Sequence, residues 1–441
     1  MSSIQATATP VTRSSALALL PLMIYLALFV GAGVYFQLQG TEFAFYQLSP
    51  VVAILPAIIL ALALSKQRLN DAIETFMKGI GNHNIIAMCL IYLLAGAFAA
   101  VAKATGGVDA TVALGLTLIP ASLLLPGLFL ICGFIATSMG TSMGTIAAVA
   151  PVALGIAQQA GIEPALMAGV VLSGAIFGDN LSIISDTTIA ATRTQGAEMK
   201  DKFRENIRLA APAALLALLL FTLAGSGQAE LAPQTLELTK VLPYLTILVL
   251  AVLGLNVFLV LTIGILLAGL TGMIGTDYSL MTFGQDIYAG FSNMQEIFLL
   301  SMLVGGLAAL MTQQGGLTWL TKKITALLGK RSSAASTQLG IGALVASTNA
   351  CIANNTVAII VAAPVAKELA QQHGVSPRRA AATLDIFACI IQGLLPYGAQ
   401  ALLLASTFAL SPFTLVGYAW YCFILAAFAL GSIVWRTRQK G

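Results

Sequence analysis

Residues Ser15–Phe36 run for 22 positions without one charged side chain, and comparable apolar runs recur along the whole 441-residue chain. A run of about 17–25 apolar residues is long enough to cross a bilayer as a helix. In the hydrocarbon core every backbone N–H and C=O must be satisfied within the chain, so only helices and closed barrels cross it. These runs are too long and too continuous for the alternating strands of a barrel. An all-α polytopic membrane protein is therefore expected, with the lipid bilayer as its first partner. Composition agrees: 58% of residues are hydrophobic and 9% are charged, against roughly 25% charged in a soluble domain. The first run is too long for the apolar part of a signal peptide and lacks a clear cleavage site, so it reads as a retained span. The net charge of +4 points to no nucleic-acid partner, because the bases sit mostly in short segments between spans. Cys89, Cys132, Cys351, Cys389 and Cys422 lie in apolar segments without CxxC or CxxH spacing, which suits structural thiols rather than disulfides or a metal site.

The simple spans are expected at Ser15–Phe36, Ser49–Ser65, Asn84–Ala102, Leu209–Gly225, Val241–Gly254, Asn256–Gly272, Asn293–Met311 and Phe413–Val434. The pair at 241–272 reads either as two short spans or as one long tilted helix. Two further regions, Ala110–Thr192 and Ser336–Thr407, are apolar but repeatedly interrupted by Gly, Ser, Asn and Pro. They contain copies of one pattern. "APVALGIAQQAGIEP" (Ala150–Pro164) and "APVAKELAQQHGVSP" (Ala363–Pro377) share nine of fifteen positions at an offset of 213 residues, Pro151 to Pro364. A weaker echo joins Leu93–Gly107 to Met302–Gly316 at an offset of 209. An internal repeat of about 210 residues in a membrane protein points to a transporter fold. The two repeats are placed at 1–230 and 231–441.

Loop charge orients the repeats. Loops 66–83, 193–208 (with Lys200 and Lys202), 312–335 and 371–379 and the C-terminal tail are basic, so they and both termini should face the cytoplasm. Loops 37–48, 226–239 and 273–292 carry only acids and should face outward. In each half a re-entrant hairpin and a broken span then follow three spans. The hairpins, about Ser122–Ala160 and Ser336–Gln372, enter from opposite sides, which makes the repeat inverted.

Polar residues gather at the interruptions. The hairpin tips are "ATSMGTSMGT" (Ala136–Thr145) and "ASTNACIANNT" (Ala346–Thr356); the broken spans are interrupted at "FGDNLSIISDTT" (Phe177–Thr188) and "IQGLLPYGAQ" (Ile391–Gln400). Unwound backbone at membrane depth is tolerated only inside protein or beside water. Its free carbonyls, with hydroxyls and carboxylates, suit Na⁺, and half-helix N-termini favour anionic groups. Gly140, Gly144, Gly178, Gly393 and Gly398 would allow positive φ or close approach at such breaks. The acids expected inside the membrane are Asp179, Asp186, Asp385 and Glu296. Burying a charge at the bilayer centre costs at least about 2.5–3.5 kcal/mol, and no Lys or Arg lies inside any simple span. These acids must bind a proton or a cation, or reach a base near the surface: Arg193 for Asp186, Arg378 or Arg379 for Asp385. A carboxylate so placed can exchange a proton for a metal ion.

The stretch Gly178, Asp179, Ser182, Ser185, Asp186, Thr187, Thr188 resembles the "GDxxSPxSDTT"-like motif of the sodium/proton antiporter family of the NhaC type, with Ile183 where the motif has proline. The repeat organisation is similar to the wider ion transporter superfamily. The resemblance implies a homodimeric elevator-type carrier with ion sites at the hairpin tips and broken helices. The expected site comprises Thr141, Ser142, Asp179, Asn180, Ser182, Ser185, Asp186, Thr187 and Thr188 from the first half. Asn349, Asn354, Asn355, Thr356, Asp385, Gln392 and Gln400 complete it from the second. Asp179 and Asp186 are the expected Na⁺ ligands, and no cofactor is expected beyond Na⁺ and H⁺ as coupling ions. The leading expectation is a cation-coupled secondary transporter of the cytoplasmic (inner) membrane. The alternative on the same fold is a Na⁺- or H⁺-coupled carrier of amino acids such as histidine, or of carboxylates. Enzymatic activity is not expected: an Asp179/Asp385 protease dyad would need glycine where Ile176 stands, and no G-x-x-x-x-G-K loop for ATP occurs.

Overall fold

A computed structural model describes residues 14–41, 47–183, 185–225, 237–274, 277–328 and 333–438. It is helical, with no strand among the described residues. The first half holds α1 (Leu20–Leu38), α2 (Pro50–Ala53), α3 (Leu55–Leu64), α4 (Leu69–Ile80), α5 (His83–Ala104), α6 (Gly107–Leu118), α7 (Leu124–Met139), α8 (Ser142–Ala160), α9 (Pro164–Leu181), α10 (Asp186–Gln195) and α11 (Met199–Ala224). The second holds α12 (Leu238–Val252), α13 (Val257–Met273), α14 (Leu280–Asn293), α15 (Gln295–Gln313), α16 (Gly316–Leu328), α17 (Ala334–Ile352), α18 (Asn355–Gln372), α19 (Pro377–Leu394), α20 (Ala399–Phe408), α21 (Pro412–Gly417) and α22 (Trp420–Arg438). Among the described residues, seven helical stretches are long and apolar enough to cross a membrane: Leu17–Phe36, His83–Ala104, Ser142–Ala160, Pro164–Gln195, Met199–Ala224, Gln295–Gln313 and Pro377–Phe408.

The chain divides into two compact units, Met1–Asn82 with Leu303–Leu327, and His83–Met302 with Leu328–Gly441. In the first, Ser15 N–H donates to the Gly315 carbonyl at 3.2 Å, and Gln314 Nε2 donates to the Ala61 carbonyl at 2.7 Å. A Cβ at Gly79 would collide with the backbone of Gly305 and Gly306, so the bare glycine sets that close approach. The second unit holds both interrupted regions. The expected repeat boundary at 230/231 lies outside the described residues.

The repeat is visible cap for cap. The turn between α7 and α8 has left-handed Gly140 followed by Thr141, whose side chain caps α8. The turn between α17 and α18 has left-handed Ala353 followed by Asn354, whose side chain caps α18. Both pairs stand at the 213-residue offset. So do the prolines inside α8 and α18 (Pro151, Pro364), those that open α9 and α19 (Pro164, Pro377), and the left-handed residues that end α10 and α20 (Gly196, Ala409). Both expected hairpins and both expected breaks are present. The halves interlock: α10 packs on α18, and α20 packs on α8.

Several expected boundaries change. The segment 241–272 is two helices, α12 and α13, packed on each other, with left-handed Gly254 at the turn. The expected loops 66–83, 273–292 and 312–335 contain α4, α14 and α16. The span expected at Phe413–Val434 is divided into α21 and α22. Most consequential, α11 begins at Met199, ten residues before the expected start at Leu209. Of the five glycines at the breaks only Gly140 has positive φ. Gly178 is helical, and a Cβ there would meet the Gly133 carbonyl of α7. Its work, with Gly174 one turn earlier, is to let α9 lie backbone to backbone on α7.

Candidate functional site: the two broken helices

Two different devices stop the broken helices at equivalent places. Leu395 is extended (φ −84°, ψ 113°) because it precedes Pro396, and a residue before proline is pushed out of the helical region. Its counterpart Ser182 is extended (φ −60°, ψ 137°) without a following proline. Here hydroxyls replace the lost helical bonds. Ser182 Oγ donates to the Thr137 carbonyl at 2.9 Å, Thr188 Oγ1 donates to the Ser182 carbonyl at 2.7 Å, and Ser185 Oγ accepts from Thr188 N–H at 3.3 Å to cap α10. Ile183 in place of the motif's proline therefore leaves the break intact.

Asp179, 5% exposed, stands just before this break. Its Oδ2 accepts from Ser142 Oγ at 2.7 Å and from Ser142 N–H at 3.2 Å. The carboxylate thus caps the N-terminus of α8, where free N–H groups and the helix dipole favour negative charge. Ser142 Oγ also accepts from Gln400 Nε2 at 3.0 Å, and Gln400 Oε1 accepts from Gln392 Nε2 at 2.7 Å. A hydrogen-bonded chain, Gln392–Gln400–Ser142–Asp179, therefore links the second break to the first.

A cavity of about 110 Å³ opens beside it. Thr141, Ser142, Asp179, Asp186 and Thr187 line it from the first half, and Asn354, Asn355, Thr356 and Gln400 from the second; Asn84, Met88 and Met143 also face it. Asp186 is exposed, and none of the lining side chains is basic.

Behind Asp179 lies a second cluster. Lys202 and Asp385, both 0% exposed, form an ion pair with Nζ and Oδ2 2.8 Å apart. Lys202 Nζ also donates to the Asn180 carbonyl and to Thr188 Oγ1, each at 2.7 Å. Asp385 Oδ2 further accepts from Asn206 Nδ2 at 2.7 Å and Asn180 Nδ2 at 3.3 Å. Asn206 Nδ2 reaches the Asn180 carbonyl at 3.0 Å.

The family model for the Na⁺/H⁺ antiporter family matches residues 2–226 and, a second time, residues 227–436. The chain belongs to the Na⁺/H⁺ antiporter family. Relatives in the family sense include the malate-2H⁺/Na⁺-lactate antiporter of Bacillus subtilis, 24% identical over 454 residues, 95% of each chain. The Na⁺/H⁺ antiporter NhaC of Alkalihalophilus pseudofirmus is 24% identical over 371 residues, 76% of this chain and 79% of its own. The solved YdaH transporter of Alcanivorax borkumensis aligns over 96% of this chain and 99% of its own, with a TM-score of 0.45 and 15% identity.

In this antiporter-family chain the structure divides the expected site residues into groups. Nine line the cavity, as given above. Asn180, Thr188 and Asp385 belong instead to the buried Lys202 cluster, while Ser182 and Ser185 hold the break. Gln392 reaches the cavity only through Gln400. Asn349 donates to the Ala388 carbonyl at 2.9 Å and ties α17 to α19, away from the cavity. Glu296 is exposed. Asp385 pairs with Lys202 and not with Arg378, which faces Glu205 at 3.4 Å.

Lys202 and Asn206 are the residues that the sequence reading missed, because Lys202 was assigned to a cytoplasmic loop. The signal was a stripe. Lys202, Asn206, Ala210, Ala213, Ala217 and Phe221 recur at three- and four-residue spacing, and all are fully buried on one face of α11.

Proposed function

We propose that the chain is a secondary transporter that exchanges a monovalent cation for protons, with Asp179 holding Na⁺ and H⁺ in turn. One observation carries the reading: a carboxylate buried at a helix break forms the wall of a polar cavity whose lining has no basic side chain. Hydroxyls of Thr141, Ser142 and Thr187 and the second carboxylate of Asp186 supply further oxygens of the kind Na⁺ takes. Membership of the family and the names of its relatives support cation/proton exchange. Loop charge supports a multi-pass protein of the cytoplasmic membrane with inverted halves. The interlocked hairpins support elevator-type alternating access, and the family resemblance supports a homodimer. Na⁺ and H⁺ act as coupling ions without an organic cofactor.

The test uses purified chain in proteoliposomes with a trapped pH indicator. An imposed Na⁺ gradient should drive proton flux in wild type and none in Asp179→Asn, which keeps the shape of the side chain without its charge. Because the ligand must be deprotonated to bind metal, raising the pH should increase the apparent Na⁺ affinity until the acid is fully ionised. Equal flux in both proteins would assign coupling elsewhere.

A second reading is favoured by the amides of Asn84, Asn354, Asn355 and Gln400 around the same cavity. They suit an organic solute with polar ends. Labelled amino acids, malate and lactate belong in the same assay, and Na⁺-dependent uptake of one of them would select this reading.

A further inference from the structure

We propose that Lys202 is a tethered cation that permanently neutralises Asp385, so that the broken-helix core takes up one exchangeable monovalent cation rather than two. The inference rests on the exchange reading above and deepens it, because it sets how many ions the site carries.

The charge count comes first. Among the described residues the buried charged side chains are Asp179, Lys202, Glu205 and Asp385. Glu205 looks outward to two bases, Arg208 at 3.6 Å and Arg378 at 3.4 Å, both with exposed side chains. That leaves two carboxylates and one ammonium around Asn180. Among the described residues the packed elements bury no further charged side chain; Arg379 on α19 is half-buried and lines a separate small pocket with Glu205. On α10, Asp186 and Arg193 are exposed; on α18, Lys367 and Glu368 are exposed. Cys389 on α19 and Tyr421 on α22 are neighbours of Asp385 but are neutral groups at neutral pH. The core therefore carries one uncompensated negative charge, and one Na⁺ or one H⁺ balances it.

The hydrogen-bond count comes second. An ammonium has three N–H groups and no acceptor. Those of Lys202 match three oxygens: the Asp385 carboxylate, the Asn180 carbonyl and the Thr188 hydroxyl. Carboxylate, carbonyl and hydroxyl oxygens are the set that a broken helix offers to Na⁺. The lysine head thus sits in a sodium-like shell, but it is bonded to α11 and cannot leave. Both N–H groups of Asn206 are likewise spent, on Asp385 and the Asn180 carbonyl. Asp179 shares none of this shell; it faces the cavity with Ser142 as its donor. One carboxylate is closed by a fixed cation and the other is open to a mobile one. An unloaded core keeps one buried carboxylate uncompensated, which disfavours its passage across the membrane and makes exchange obligatory.

The symmetry of the repeats sharpens the point. At the 213-residue offset Asp385 corresponds to Leu172 and Lys202 to Leu415, so the pair is an addition to the shared fold rather than part of it.

Equilibrium binding of radioactive sodium to the purified full chain, at alkaline pH where protons do not compete, tests the count. The expected stoichiometry is about one Na⁺ per chain for wild type, about two for Lys202→Gln, none for Asp385→Asn and about one again for Lys202→Gln/Asp385→Asn. Lys202→Arg should keep about one. A merely structural lysine would lower binding in every variant and would not yield this order. Should Lys202→Gln fail to fold, Asp385→Asn and the double variant carry the test. The inference is overturned if Lys202→Gln binds one Na⁺, or if Asp385→Asn binds as wild type does. Those outcomes leave the exchange reading standing. Wild-type chain that binds no sodium would remove the exchange reading and this inference together.

Discussion

The two broken helices share a backbone and differ in chemistry. Caps, left-handed turns and prolines recur at one offset, yet Asp179 of the first half stands where the second has Gln392, and Ser142 where the second has Asn355. The first break is held by hydroxyls and carries acid; the second is held by proline and carries amides. The fold is thus duplicated and the charge is not. The duplicated backbone supplies two hairpins, while unequal side chains put a carboxylate, Asp179, beside the first break and an amide, Gln392, beside the second; in the proposed reading ion exchange therefore belongs to the first break. The Gln392–Gln400–Ser142 chain shows how the amide half can serve the acid half, by fixing the hydroxyl that donates to Asp179.

The comparison can be broken most severely at its charges. Asp385→Leu, which copies Leu172 of the first half, strands Lys202 in the interior. Breaking a buried pair this way costs about 3–5 kcal/mol, and thermal unfolding in detergent should show a large drop. Lys202→Met/Asp385→Leu should recover most of it, since well-packed apolar groups often replace a buried ion pair at little cost. A double variant as unstable as the single would mean that the pair is needed for the fold itself.

Ser142→Ala and Asn355→Ala compare the hairpin tips. Ser142 donates its hydroxyl to a carboxylate, a bond worth about 1.5–3 kcal/mol, so apparent Na⁺ affinity should change by about tenfold or more. Among the described residues Asn355 Oδ1 accepts only from Thr356 N–H at 3.0 Å, a local bond. Its loss should alter Na⁺ affinity by no more than about twofold. Equal effects, read from Na⁺-dependent proton flux, would erase the proposed asymmetry.

The smallest effects test the shared backbone. Ala353 (φ 55°) and Ala409 (φ 52°) stand in left-handed turns where the first half has Gly140 and Gly196. A left-handed L-residue costs roughly 1–2 kcal/mol. Ala353→Gly and Ala409→Gly should each raise stability by about 1 kcal/mol or less, after the entropy of the added glycine. Gly140→Ala should lower stability by about as much.

The repeat, the hairpins and the position of both breaks were legible in the sequence because they rest on local signals: proline, glycine, capping side chains and a copied fifteen-residue pattern. The cavity-facing residues Ser142, Asp179 and Gln400 were legible for the same reason, since they sit on those interruptions. The Lys202 cluster was hidden because its signal is not local. Charged residues in 199–208 mimic a cytoplasmic loop, and only the stripe continuing through Ala210, Ala213 and Ala217 reveals a helix whose polar turn is drawn inside. Gly178 misled in the opposite sense: a glycine beside a break reads as a hinge, while its bare Cα serves contact with α7.

The central claim is that one carboxylate in the first break trades a proton for a cation. The most direct measurement is proton release on adding Na⁺ to the purified chain in lightly buffered detergent solution, at a pH where Asp179 is still partly protonated. Wild type should release protons with saturable dependence on Na⁺, Gln392→Ala should do so with weakened affinity, and Asp179→Asn should release none. Undiminished, saturable release from Asp179→Asn would contradict the claim.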